Sequence, residues 1–212
     1  FTVEENWPNI YESKQIRFIG NTTFKISPNS TLRFINSDLI SPDGVKIQFI
    51  GTKSSMVIIK SSTGSLDYLS TSALGTNNGG LQILYGGLNF IDSELSINRL
   101  FANSSQSEDS VNIIDSKITI NKAAFSNIKS DAIDSDFSSL SIKRISCLNV
   151  NNDCLDISFS DVSLGSLFAN AVKDKAISAG EKSILNIDLL TVSDSDMGIV
   201  AKDLSSVFIK KV

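Results

Sequence analysis

Two aspartates, Asp134 and Asp156, stand 22 residues apart in matching frames, Ile133-Asp-Ser and Leu155-Asp-Ile, with Asp136 beside the first. If the chain comes back to the same place every 22 residues, these carboxyls stack about 5 Å apart. Bare carboxylates at that distance repel, so one keeps a proton at neutral pH or a cation sits between them. A protonated acid beside an ionised one is the pairing used in glycoside cleavage, where one carboxyl protonates the leaving oxygen and the other activates water. Asp134, Asp156 and Asp136 are therefore the candidate catalytic residues. Asp131 and Asp153 repeat the same relation three residues earlier, and Lys175 stands one repeat beyond Asp153. These three are the candidate substrate-binding residues. Calcium is the one cofactor such acids suggest, although the glycine-rich nonapeptide repeat that binds it is missing. No dedicated metal site is expected.

The same acids have a second reading. Asp and Asn are turn residues whose side chains accept backbone N–H groups, and Asp109, Asp131 and Asp153 fit such corners. Composition narrows the chemistry further. The chain of 212 residues has no histidine, which removes His-dependent triads and most zinc sites. Its net charge of −4 argues against nucleic acid or an anionic membrane as partner, since both need a clustered positive field. That charge fits a neutral or cationic partner, or none; a polysaccharide, or a neighbouring domain of a larger protein, remains. Cys147 and Cys154 either close a short disulfide or sit as two isolated thiols in positions that accept small residues.

Positioning these residues is the work of the repeat. Val111, Ile133, Leu155, Ile177 and Ile199 recur at a constant 22. A second column runs Ile120, Ile142, Leu164, Ile187 and Ile209, and a third Ile118, Leu140, Val162, Leu185 and Val207. Both carry a single extra residue near Gly180, where a turn accommodates it most easily. Apolar and polar residues alternate within each repeat, which is the period of strands. A short coil of strands cannot bury its own apolar side, so like residues must stack on like in a solenoid. The sequence thus predicts one all-β domain over 1–212, a right-handed parallel β-helix of about 22 residues per coil and roughly eight coils. Residues 1–14, with Trp7, Pro8 and Tyr11, are expected to cap its open end. The Ser-, Thr- and Gly-rich stretch 60–80 is expected to protrude as a loop.

Strict alternation would turn Ala132, Cys154, Ala176 and Gly198 outward as a shallow floor beside the acids. Phe137 and Phe159, also 22 apart, are expected to stack inside a corner, with a platform for a sugar as the lesser reading. The successive stretches Asp131-Ala-Ile-Asp-Ser-Asp-Phe-Ser, Asn152-Asp-Cys-Leu-Asp-Ile-Ser, Asp174-Lys-Ala-Ile-Ser-Ala-Gly-Glu and Gly198-Ile-Val-Ala-Lys-Asp resemble a known group. They are similar to the right-handed parallel β-helix domains, of the pectate-lyase-like superfamily, in bacterial surface proteins. Within that group they most resemble domains that accompany spore-coat-kinase-like or lamin-tail modules. The resemblance implies secretion or surface display within a larger parent chain, and it brings no settled activity.

Two functions follow as expectations. One is a module that binds polysaccharide or serves as an interaction scaffold. The other is a carbohydrate-active hydrolase, lyase or epimerase working through Asp134 and Asp156. Polygalacturonase-type enzymes resemble the second in carrying Asp on neighbouring coils, but they also use a His that this chain lacks. Pectate-lyase-type sites need an Arg beside the acids, and Arg17, Arg33, Arg99 and Arg144 fall outside these columns.

Overall fold

Every regular element among the described residues is a strand, because the sequence alternates with period two and carries no helical stripe there. The computed structural model describes residues 2–3, 9–76 and 84–212, with side chains described from residue 9 onward. Among the described residues the strands form two parallel sheets, one of twelve strands and one of nine, wound into a β-solenoid of about eight turns. Successive coils lie about 23 residues apart. No helix of the described residues is long and apolar enough to cross a membrane.

Register follows the period read from the sequence. In the nine-stranded sheet Val111 pairs with Ile133, Ile133 with Leu155, Leu155 with Ile177 and Ile177 with Ile199. In the twelve-stranded sheet Ile120, Ile142, Leu164, Ile187 and Ile209 pair in the same order. All but the last coil's members are buried in one continuous core. The extra residue near Gly180 falls at the corner, where both Glu181 and Lys182 adopt positive φ and the equivalent corners need one such residue.

One corner of the coil is built from two residues. A residue in the left-handed region, which L side chains adopt at a cost, precedes a buried serine: Asn36-Ser37, Ser61-Ser62, Asp92-Ser93, Asp115-Ser116, Phe137-Ser138, Phe159-Ser160 and Lys182-Ser183. From Ser37 through Ser160 each serine N–H donates to the hydroxyl of the next coil's serine at 3.0–3.1 Å, the last acceptor being Ser183. The hydroxyls of Ser37 through Ser160 in turn donate to the carbonyl two residues back in their own coil. The sharp turn would otherwise leave these backbone groups unpaired in the interior, and the ladder satisfies them.

Four expectations change. Thr63–Ser72, inside the stretch expected to loop out, is a strand paired with Glu94–Asn103. Leu66 and Leu69 enter the core while Thr63 and Ser65 are exposed, so a composition typical of turns serves an ordinary strand. Residues 77–80 of that expected loop lie outside the described residues, as do Trp7 and Pro8 of the expected cap. Tyr11 belongs to Ile10–Glu12, a strand of the nine-stranded sheet, and stacks on Phe34 with ring centres 5.2 Å apart.

Cys147 and Cys154 form a disulfide. Ala132, Cys154 and Ala176, expected outside, are fully buried in the core. The chain rounds a corner there, so two consecutive residues face inward and strict alternation fails. Phe137 and Phe159 are the reverse case. Their rings stack in parallel 4.8 Å apart, but on the outside, 60 % and 47 % exposed. Both residues sit at the left-handed corner, and that backbone aims the side chain away from the core.

Candidate functional site

The acids read from the sequence do converge on the outer face of the nine-stranded sheet. Asp134 and Asp156 are paired in register between Asn112 and Ser178. Burial lifts the Asp134 carboxyl to about 8, with repulsion from Asp109 next in weight and from Asp136, Asp156 and Asp131 after it. Burial and the charge of Asp131 push Asp109 to about 7. Asp136 is raised as well, by burial and then by Asp156. At neutral pH Asp134 is therefore a mostly uncharged acid, able to donate a hydrogen bond or a proton.

Polar satisfaction is poor along this column. Asn112 is 3 % exposed; its Nδ2 donates to Asp109 Oδ2 at 3.2 Å, while its Oδ1 has no hydrogen-bond partner. Ser178 Oγ is buried and equally without one. Buried polar atoms of this kind are costly, and native structures contain few of them.

Asp131, Asp153 and Lys175 are held differently, by the backbone of the next coil. Asp131 accepts the N–H of Asp153 and the Nδ2 of Asn152, both at 2.7 Å. Asp153 accepts the N–H of Lys175 at 2.9 Å and its Nζ at 3.3 Å. Lys175 Nζ also contacts Asp174. These side chains tie corners together, as the turn reading of Asp131 and Asp153 requires. Burial still raises Asp131 to about 6, against the hydrogen bond from Asp153 N–H. Among the described residues no group of three or more acids or thiols is disposed to hold a metal ion.

A second feature lies on the twelve-stranded sheet and escaped the sequence reading. The long strands of this sheet bend near their middle, and the parallel ladder skips one residue per coil at Asp67, Asn98, Asn121, Lys143, Gly165 and Asp188. The bend residues and the strand halves that lead into them line a groove along the solenoid axis. Its volume is about 620 Å³, and it extends from Ser41 and Asp43 to Asp188 and Lys210. One wall is the column Ser96, Thr119, Ser141, Ser163 and Asn186. A Cβ at residue 165 would come within 2.5 Å of the Lys143 carbonyl oxygen, so glycine alone fits the bend there.

Hydrogen bonds run along the groove floor. Asp67 accepts Gly44 N–H at 2.8 Å and Asn98 Nδ2 at 2.5 Å, and it pairs with Arg99 Nη2 at 2.6 Å. The Asn98 bond, foremost, holds this buried carboxyl below its usual range. Asn121 Nδ2 then donates to Asn98 Oδ1 at 2.9 Å. The far side of the bend carries the in-register column Lys46, Tyr68, Arg99, Lys122 and Arg144. The column from Ser96 to Asn186 and the run Arg99, Lys122 and Arg144 are visible in the sequence as spacings of 22 and 23, whereas Tyr68 and Arg99 stand 31 apart. They lie between the apolar residues that attract attention first.

No protein-family model matches the chain, and neither a curated protein nor a solved structure does.

Proposed function

We propose that the solenoid is an extracellular or surface-displayed module that binds a linear polysaccharide along the groove of its twelve-stranded sheet. The observation that carries this reading is the match between a periodic groove and a periodic ligand. The groove repeats with the strand spacing of about 4.8 Å and extends for roughly 30 Å. It offers hydroxyl and amide groups at every step, which suit the hydroxyls of an extended sugar chain. The buried disulfide agrees with an oxidising compartment. Ser141 is exposed at mid-groove, so Ser141→Trp fills the groove without touching the core. Binding to an immobilised glycan panel is expected to fall at least tenfold in this variant. Unchanged binding would remove the groove from consideration.

One observation favours a second reading, a polysaccharide hydrolase, lyase or epimerase built on the nine-stranded sheet. Asp134, raised to about 8, lies in register with Asp156, which sets a proton donor next to a second carboxyl. The same glycans, assayed for new reducing ends and unsaturated products, test it. Turnover that survives Asp134→Asn would exclude this residue from catalysis.

A further inference from the structure

We propose that the polymer held in the groove is anionic, carrying carboxylate or sulfate groups, and that Arg99, Lys122 and Arg144 read those groups. The inference rests on the groove being a polysaccharide site and specifies which polysaccharide. These three cations occupy the same register position on three consecutive coils. Neighbours are therefore separated by about one strand spacing, some 4.8 Å. Asp67 already neutralises Arg99, whereas among the described residues Lys122 and Arg144 have no such partner. Like charges stacked at that distance repel each other, and an anion bound across these two steps removes the repulsion.

Position and support both favour such a role. Arg99 is fixed from below by Asp67, and its guanidinium lies 5.4 Å from the Tyr68 ring centre. Lys122 Nζ lies 5.8 Å from the ring centre of Phe101, which in turn packs on Tyr68. Among the described residues no acid pairs with Lys122, Lys143 or Arg144, and all three are exposed. Lys143, at the bend, adds a fourth cation from the groove floor. A second cavity of about 400 Å³ joins Asn98 and Asn121 to Arg99, Lys122 and Arg144, so the basic column and the polar groove form one surface. The linings of the two cavities also carry Asp43, Asp67 and Asp188, of which Asp67 pairs with Arg99 and Asp188 with Lys210. The cations of these linings left without an acid among the described residues are therefore Lys122, Lys143 and Arg144, on a chain whose net charge is −4.

Ligand geometry follows from the same pitch. A sugar ring in an extended chain advances by a length comparable to the coil spacing, so one charged ring can sit on each coil. Guanidinium groups bind carboxylate or sulfate through two parallel N–H bonds, and Lys122 contributes a point charge between them. A single-stranded nucleic acid would need free aromatic faces for its bases, and here Tyr68 and Phe101 are covered by cations.

The test compares alginate, dextran sulfate, a neutral (1→4)-glucan and single-stranded DNA on the wild-type chain, on Lys122→Gln/Arg144→Gln and on Ser141→Trp. Wild-type protein is expected to bind one of the two anionic glycans at least tenfold more tightly than the neutral glucan. The charge-removed variant is expected to lose that advantage while its thermal midpoint stays unchanged, since both side chains are exposed. Added salt is expected to weaken anionic binding and leave neutral binding unaffected. Alginate and dextran sulfate separate the carboxylate and sulfate sources. Equal or tighter binding of the neutral glucan, lost in Ser141→Trp, would overturn the inference and leave the groove reading standing. Tightest binding of DNA, or anionic binding that persists in the charge-removed variant, would overturn it as well. Anionic binding that is lost in the charge-removed variant and unchanged in Ser141→Trp would sink the groove reading on its own.

Discussion

Replacing Asp134 by asparagine is expected to stabilise the protein at neutral pH and to leave it unchanged in acid. In an unfolded chain this carboxyl titrates at its ordinary value of 3.8, whereas in the fold it is raised to about 8. Between those values the folded state holds a proton that the unfolded state releases, so stability falls as pH rises through the interval and levels off above it. At pH 7 the mismatch spans about three units at 1.36 kcal/mol each, roughly 4 kcal/mol for an isolated group. Asp134 shares its field with Asp109, Asp136, Asp156 and Asp131, and one substitution releases only part of that strain. Asparagine has the same shape, no charge to desolvate, and an amide that can serve the unpartnered Asn112 Oδ1. The expected gain at pH 7 is therefore about 2–4 kcal/mol, shrinking to nothing near pH 4. Denaturant midpoints of both proteins, taken at intervals from acid to mildly alkaline pH, measure it. A variant less stable than wild type at neutral pH would refute the reasoning. So would a gain of equal size in acid, because it could not come from proton linkage.

Two other perturbations test the frame that holds the groove. Ser116→Ala removes the acceptor for the buried Ser93 N–H and the hydroxyl that caps the Ile114 carbonyl. A loss of about 1–3 kcal/mol is expected in chemical denaturation, against a negligible loss for an exposed serine such as Ser139. Replacing both cysteines by alanine opens a closed loop with a sequence separation of 7. That is expected to cost about 2–3 kcal/mol, and thiol titration of the unfolded wild-type chain without reductant is expected to find no free thiol.

The stacking of the coils was legible because it needs only one regularity, apolar residues returning at a fixed interval. The columns through Ile133 and Ile142 supplied it directly. Where the chain turns corners, the two-residue alternation no longer holds, and there the reading failed. Cys154 was assigned to the surface because it precedes an inward leucine, yet at the corner both face inward and the thiol reaches Cys147. Phe137 and Phe159 were assigned to the interior on residue type alone. Their left-handed backbone decides the opposite, and nothing in the apolar pattern signals it. Asp134 and Asp156 pair in register as their spacing predicts, but the partners of the acids come from adjacent coils and are invisible along the chain. Arg99 and Arg144 were weighed against the acidic columns and not against Lys122, which lies between them at the same period. Thr63–Ser72 shows the remaining gap, because a strand of small polar residues has the composition of a loop until its two leucines are placed.

The serine corner has a consequence for how such a molecule can change length. From one corner serine to the next the chain takes 25, 31, 23, 22, 22 and 23 residues. Coils that differ by as many as nine residues nevertheless return to the same bond, within 0.1 Å. The corner resets the count on every lap, so an insertion in one coil stays local to that coil and is not passed to the next. Gain or loss of a whole coil between two serines would shift the neighbours along the axis while leaving their registers intact. The length of the groove then changes in single steps, one coil at a time, and selection can set it like the marks on a ruler.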